Sequence, residues 1–304
     1  TWPGVGNAVV PSLAGHYLLA YAGELDEKDP LRSDCIAIYQ TQADKIVCGE
    51  YYAQALAAMA PIPAKTYSLR RCESEHMDEL GVAMRHDHLS PKESYLFQKI
   101  GFWKDHYEAD ETSFNWYAKG TPLCMDYGTY TGDAGVGAAH NRVEITDEDP
   151  LRRGYLADHL LTPLLDYTHC EQPVVMKLLW GRVRSFDEID NKDGKIGRMA
   201  TPYFYIGDKN PVGPKVWQVR LLLFVKPDYI AVFDRVYGDV PHRYNLHVVG
   251  DTPIREGNVI SAKGRFDLDL SVLVQHPSEF EMQTGELVPG PDRYGRGADW
   301  EKVD

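Results

Sequence analysis

His106, Glu108 and Asp110 occupy every second position of the stretch His106-Tyr107-Glu108-Ala109-Asp110-Glu111-Thr112-Ser113-Phe114. Side chains alternate along an extended chain, so if the stretch is extended these three polar groups share one face. Met125-Asp126-Tyr127-Gly128-Thr129-Tyr130 and Ala139-His140-Asn141-Arg142-Val143 follow downstream. Imidazoles, carboxylates and phenols are the groups that bind metals and move protons. Glu108, Asp126 and His140 make an oxygen, oxygen, nitrogen set of the kind zinc accepts. The same residues also fit a plainer arrangement, a polar sheet face with a buried His140 bonded to backbone.

Uniting these segments requires strands and tight turns. Ser113 to Lys119 and Leu123 to Tyr127 read as strands joined by Gly120-Thr121-Pro122, which returns Asp126 toward the start of the first. Gly132 to Gly137 is glycine-rich and lets the chain fold back to His140. Phe114, Trp116 and Ala118 alternate with Ser113, Asn115 and Tyr117, which predicts one core face and one more polar face. Further strand-like runs are Lys65 to Arg71, Gly81 to Arg85, Ser94 to Ile100, Val174 to Val183, Val216 to Val225 and Tyr229 to Val236. Pro227-Asp228 marks a hairpin turn.

The beginning of the chain has a different period. Leu13, Tyr17, Leu18 and Tyr21, then an alanine-rich run from Glu50 to Ala60, predict helices. Pro61-Ile62-Pro63-Ala64 fixes φ twice and disfavours helix, so a boundary is expected there. The fold class expected is α+β: a short helical segment over 1–62, then a large antiparallel β-sandwich over 63–304.

The 304 residues carry 45 acidic against 32 basic side chains, a net charge of −13. That charge disfavours nucleic acid and anionic membrane as partners, since repulsion opposes approach. The composition, 43% hydrophobic and 25% charged, is that of an ordinary globular protein. The 19 Tyr and 6 Trp suit strands and sugar stacking alike. Cys35, Cys48, Cys72, Cys124 and Cys170 show no CxxC spacing, which indicates neither a disulfide framework nor a cysteine zinc site. Thr1 is not an initiator methionine and Thr1-Trp2-Pro3-Gly4 lacks signal-peptide character, so an upstream segment is expected. Asp190-Asn191-Lys192-Asp193-Gly194 is similar to a calcium loop, but Ile189 at the first ligand position cannot coordinate, and a polar turn is expected instead.

In order and spacing, the chain resembles the heparinase II/III-like polysaccharide lyases. The matching residues are His106-Tyr107-Glu108-Ala109-Asp110 with Ser113-Phe114, then Tyr117-Ala118-Lys119-Gly120, Pro122-Leu123, Asp126 to Tyr130, and His140-Asn141-Arg142-Val143. Gly81 to Arg85, Phe224-Val225-Lys226-Pro227 and Asp234-Arg235-Val236 extend the resemblance over most of residues 60 to 250. It implies a helical toroid followed by a β-sandwich, with residues 1–62 as the end of the toroid. It also implies that His106 is a catalytic histidine, Tyr130 an active-site tyrosine, and Asp126 and His140 metal ligands. Glu108 departs from the family, which often has a histidine there, although glutamate also binds zinc.

The expected activity is therefore β-elimination on a uronic-acid polysaccharide, with a zinc that braces the sandwich beside the cleft. Arg142 and Arg85 are the nearby cations that could hold substrate carboxylates, and Trp103 and Tyr107 could stack on sugar rings. For each, a structural role explains the residue equally well. His86 and His88 flank Asp87 on a polar turn and are expected to be solvated. By the resemblance, a further tyrosine and a polar neutraliser come from the helical domain, so the chain is expected to hold half of an active site. Secretion or a periplasmic location is expected, with an acidic polysaccharide or oligosaccharide as partner. The rival readings are a non-catalytic carbohydrate-binding or structural β-sandwich and a metal-dependent hydrolase, which would need an open metal position.

Overall fold

The computed structural model describes residues 14–42, 65–78, 80–101, 110–125, 140–145, 154–174, 178–180, 204–206, 216–238, 240–264, 268–276 and 282. The chain divides into two compact units, residues 9–72, and 1–8 with 73–304. The proline-rich stretch 61–64, the alanine-rich run 50–60 and the polar turn at 190–194 lie outside the described residues.

Helices α1 (Ala14–Glu24) and α2 (Pro30–Gln42) are the described helices of the smaller unit. Asp29 caps α2: its Oδ1 accepts the Leu31 amide at 2.8 Å, and Pro30 takes the first helical position, where no amide partner is needed. Leu19 and Ala22 of α1 pack on Cys35, Ile36 and Tyr39 of α2. The strand expected over Lys65 to Arg71 is not a strand. This segment satisfies its backbone on helix side chains instead: Gln40 donates to the Lys65 carbonyl at 3.0 Å and accepts the Tyr67 amide at 3.1 Å. Arg70 pairs with Asp34 at 2.6 Å. No described helix is long and apolar enough to cross a membrane.

The larger unit is built from antiparallel strands. β1 (Glu75–Met77), β2 (Gly81–His86), β3 (Ser94–Lys99), β4 (Phe114–Ala118) and β5 (Thr121–Cys124) pair in sequence order as a five-stranded meander. After β6 (Val143–Ile145) come β7 (Tyr155–Leu161), β8 (Leu165–Val174), the short pair β9 (Leu178–Trp180) and β10 (Phe204–Ile206), then β11 (Val216–Val225) and β12 (Tyr229–Tyr237). Four of these form a second sheet in the order β12-β11-β8-β7. β13 (His242–Tyr244) pairs with β6, and β14 (Ile254–Glu256), β15 (Val259–Ala262) and β16 (Leu270–Leu273) form a third small sheet.

The expected turn at Gly120 is present but tighter. Lys119 and Gly120 both have positive φ, 51° and 82°, which suits a two-residue hairpin whose twist matches its strands. The next strand therefore begins at Thr121 rather than Leu123. The Pro227-Asp228 hairpin joins β11 to β12, and the Asp228 amide donates to the Val225 carbonyl at 3.0 Å.

One core joins the two main sheets. Val82, Met84, Leu96, Phe114 and Trp116 of the meander pack with Cys170, Leu222 and Phe224 of the second sheet. The packed face is partly polar. Thr168 of β8 donates to Gln98 of β3 at 2.5 Å, and the Ser94 hydroxyl donates to the Pro227 carbonyl at 3.2 Å. All six residues of β3 are buried, so that strand has covered faces on both sides. On the opposite face of the second sheet, Tyr155, Leu160, Tyr229, Phe233 and Tyr237 are exposed.

Candidate functional site

Trp103, His106, Tyr107, Glu108, Asp126 and Tyr130 lie outside the described residues. Arg85, His140 and Arg142 are described, and so are the chain ends that lead into the segment carrying His106.

β3 ends at Lys99, and the chain re-emerges at Asp110 in a tight turn before β4. The Ser113 amide donates to the Asp110 carbonyl at 3.0 Å, and Thr112 takes a positive φ of 64°. Ladder bonds close the neck between the two ends: the Thr112 amide donates to the Lys99 carbonyl, and the Lys99 amide to the Ser113 carbonyl, both at 3.0 Å. A buried ion cluster sits on this neck. Lys99 Nζ lies 2.7 Å from Asp110 Oδ1 and 2.7 Å from Glu111 Oε1, with all three side chains at most 4% exposed. Glu111 Oε2 accepts the Gly101 amide at 3.2 Å and the Gly154 amide at 3.0 Å. Glycine at 154 allows that approach, because a Cβ there would stand 3.0 Å from Glu111 Oε2.

The electrostatics of the two carboxyls diverge. Burial alone would push the Asp110 carboxyl up, but the Lys99 ammonium, and then His140, hold it below the usual carboxylate range. For Glu111, burial dominates and pushes the carboxyl up, with Lys99 opposing and Asp110 adding to the rise. Asp110 is thus the stronger anion of the pair, and His140 stands close enough to stabilise it.

His140 is 2% exposed and begins a turn in which the Arg142 amide donates to the His140 carbonyl at 2.8 Å. Asn141 fixes that turn to the sheet. Its Nδ2 donates to the Phe114 carbonyl at 2.8 Å, and its Oδ1 accepts the His247 amide at 2.6 Å. Arg142 is fully buried, and its carbonyl accepts the Asn245 amide at 2.8 Å.

Arg220, from the centre of β11, joins the two turns. Its Nη1 donates to the Thr112 carbonyl at 2.7 Å and to the Asn141 carbonyl at 2.8 Å. The rest of the guanidinium forms a two-point pair with Asp234 of β12, at 2.7 and 2.9 Å. The planar fork makes a two-point pair with one carboxylate and still serves two carbonyls, four bonds in all, one more than the three donors of an ammonium can make.

Arg85 lies on β2. It pairs with Glu93 at 2.6 Å and stacks 4.5 Å from the centre of the Tyr95 ring, so its charge is matched within the fold. His86 and His88 are half-buried. Among the described residues no group of three or more His, Cys, Asp or Glu could hold a metal ion, while Glu108 and Asp126 of the expected set lie outside them.

Lys99, Glu111, Asn141 and Arg220 carry this arrangement without having been candidates in the sequence. Arg220 did leave a signal there. It is a lone charge in the run Val216-Trp217-Gln218-Val219-Arg220-Leu221-Leu222-Leu223-Phe224, and a charge among core residues requires partners.

No family model matches the chain, and no curated protein sequence matches it significantly. Among solved structures, the chain is similar to heparan sulfate lyase HepC from Pedobacter heparinus, with a TM-score of 0.53 and 13% identity over 89% of this chain and 36% of that one. It is also similar to a mutant of the same lyase, with a TM-score of 0.51 and 12% identity over 89% of this chain and 37% of that one. At such identity the likeness is one of fold alone, and the chain spans little more than a third of the length of those two structures.

Proposed function

We propose that the chain is the β-rich portion of a polysaccharide lyase acting on a uronic-acid polysaccharide, with residues 1–62 as the end of a helical toroid and 63–304 as a sandwich. The observation that carries this reading is the buried bracket around Arg220. It fastens the turn after the His106 segment to the turn bearing His140, which is a costly arrangement of charge for a sheet with only a structural role. The fold likeness to heparan sulfate lyase supports it at the level of analogy.

In the proposed reaction a base takes the C5 proton of the uronate. The C5–H electrons form the C4=C5 double bond, and the C4–O bond breaks with its pair on the leaving oxygen, which is then protonated. Negative charge builds on the uronate carboxylate as the proton leaves, so the site needs positive groups or good donors there. His106 acts as base or carboxylate neutraliser, and Tyr130 delivers or relays the proton. Arg142 contributes positive potential, while Trp103 and Tyr107 offer faces for sugar stacking. Glu108, Asp126 and His140 form a donor set whose chemistry fits zinc, which would brace the strands. Secretion or a periplasmic site of action goes with a polysaccharide substrate.

The test is an elimination assay of this chain, and of the longest product of its gene, against a panel of uronate polysaccharides that includes heparan sulfate. Unsaturated product absorbs in the ultraviolet. His106→Ala is expected to lower the rate by about 10²–10⁴-fold. Full activity in that variant overturns the assignment. The exposed aromatic residues Tyr155, Tyr229, Phe233 and Tyr237 favour a second reading, a carbohydrate-binding module, which would retain polysaccharide and release no unsaturated product.

A further inference from the structure

We propose that the face of the β12-β11-β8-β7 sheet turned away from the core is an interface for a second copy of this chain, packed face to face about a two-fold axis that runs along the strands. The inference stands apart from the lyase reading, and it assigns to protein contact the rings that a carbohydrate-binding module would use.

Residues directly opposite one another in a sheet share a face, so the register fixes what this face carries. Arg235, Val219, Glu171 and Tyr155 form one row across the four strands, and the next row puts Phe233 on β12 and Asp158 on β7. Down the middle, β11 turns Val219, Leu221 and Leu223 to the same side. Tyr155, Tyr237, Phe233 and Tyr229 are 42 to 57% exposed. Each ring therefore offers about 100 Å², half of the roughly 200 Å² that an aromatic side chain can bury. With the half-buried aliphatic strip between them, the face approaches the about 800 Å² that one partner gives to a standard interface, more than a monomer ordinarily leaves apolar.

The chemistry of the face selects a protein over a sugar chain. Valine and leucine side chains along β11 offer hydroxyls no hydrogen bond, and the Asp158 and Glu171 carboxylates oppose an acidic polysaccharide. The polar groups are turned on their neighbours: Tyr155 donates to Glu171 at 2.7 Å, Glu171 lies 3.3 Å from His169 Nε2, and Arg235 stacks 4.5 Å from the centre of the Tyr237 ring. The charges are also segregated in a way that favours this chain as its own partner. Arg235 stands on β12, while Glu171 and Asp158 stand on β8 and β7, with Asp158 three strands or about 14 Å from β12. Turned over about an axis along the strands, a second copy lays its β12 on the first copy's β7. Arg235 of each copy then comes over the acidic edge of the other, and the one match is made twice by symmetry.

The experiment is sedimentation equilibrium of the whole chain, with circular dichroism to confirm that each variant folds. At about 100 μM, well above the micromolar Kd of even a modest interface of this size, the unaltered chain is expected at twice the mass of one chain. Phe233→Glu sets a charge among the central rings and is expected to weaken dimerisation by at least about 30-fold. Should that variant fail to fold, Leu160→Glu on the exposed side of β7 carries the comparison. Arg235→Asp and Asp158→Arg are each expected to weaken dimerisation about tenfold, and the double variant to return within about threefold of the unaltered chain. A chain that stays monomeric at about 100 μM overturns the proposal, as does a dimer indifferent to the variants on this face. Charge reversals whose effects simply add would overturn the two-fold arrangement. A monomer that retains polysaccharide, and loses it in Phe233→Glu, would give the face to sugar instead.

Discussion

Replacing Arg220 by methionine removes four hydrogen bonds from the interior at once: two to Asp234 and one each to the carbonyls of Thr112 and Asn141. Methionine fills similar space, so the loss is chiefly polar. Breaking a buried ion pair by removing one partner typically costs about 3–5 kcal/mol, because the other charge is left behind. Asp234 is 14% exposed, so water recovers part of its solvation and the lower end, about 3 kcal/mol, is expected. Arg220→Lys keeps the charge but offers three donors where the guanidinium makes four hydrogen bonds. One unmade hydrogen bond sets its cost at about 1 kcal/mol. Tryptophan fluorescence during urea unfolding is a selective assay, because all six tryptophans lie outside residues 9–72 and report on the larger unit. Pairing Arg220→Met with Asp234→Ala in a double-mutant cycle should give a coupling of at least about 1 kcal/mol. A cost under about 1 kcal/mol for Arg220→Met, or strict additivity in the cycle, would refute the bracket.

Three other outcomes are expected. The Cys124 thiol, 1% exposed, is raised by burial from 9.0 to about 12. The folded value exceeds the unfolded one, so its contribution is whole below 9.0 and is lost as the pH climbs toward about 12. That loss is at most about 4 kcal/mol; Cys124→Ala should flatten the alkaline fall of the urea midpoint, and an unchanged slope would count against the burial argument. Gly81 has φ of 149°, and a Cβ there would meet the Gln98 carbonyl oxygen at 2.2 Å. Gly81→Ala should therefore cost about 2–5 kcal/mol in urea unfolding, and a loss under about 1 kcal/mol would contradict so close an approach of β2 to β3. Zinc held by Glu108, Asp126 and His140 should appear at about one ion per chain in elemental analysis, and chelation should lower Tm; metal far below stoichiometry would remove that site.

Apolar alternation made the central strands legible. The runs at Gly81, Ser94, Val216 and Tyr229 became β2, β3, β11 and β12 because each carries enough large apolar residues to announce its buried face. β7 and β8 escaped the same reading. Asp158, His159, Asp166, His169 and Glu171 interrupt their pattern, and the buried face of β8 is Asp166, Thr168, Cys170 and Gln172, which looks like an exposed face until its partners are known. Asp166 is satisfied by Lys226 at 2.8 Å and by the Ser74 hydroxyl at 2.5 Å, partners far away in the chain. Lys65 to Arg71 erred the other way, being extended in pattern but supported by a helix. At the site, spacing pointed to residues such as His140 that could do chemistry. It could not point to Lys99 or Glu111, whose importance comes from pairing with other parts of the chain, and it marked Arg220 only as a lone charge in an apolar run without naming its partners.

Arg220 meets the Thr112 carbonyl across 108 residues of chain and the Asn141 carbonyl across 79. Contacts so distant in sequence form only after the intervening strands have found their partners, so they come late in the folding of a β protein. The two turns can be brought into their final relation only when both sheets are already packed. A partly folded chain would therefore hold the residues of both turns and none of their geometry, so the Arg220 bracket itself reports that folding has finished.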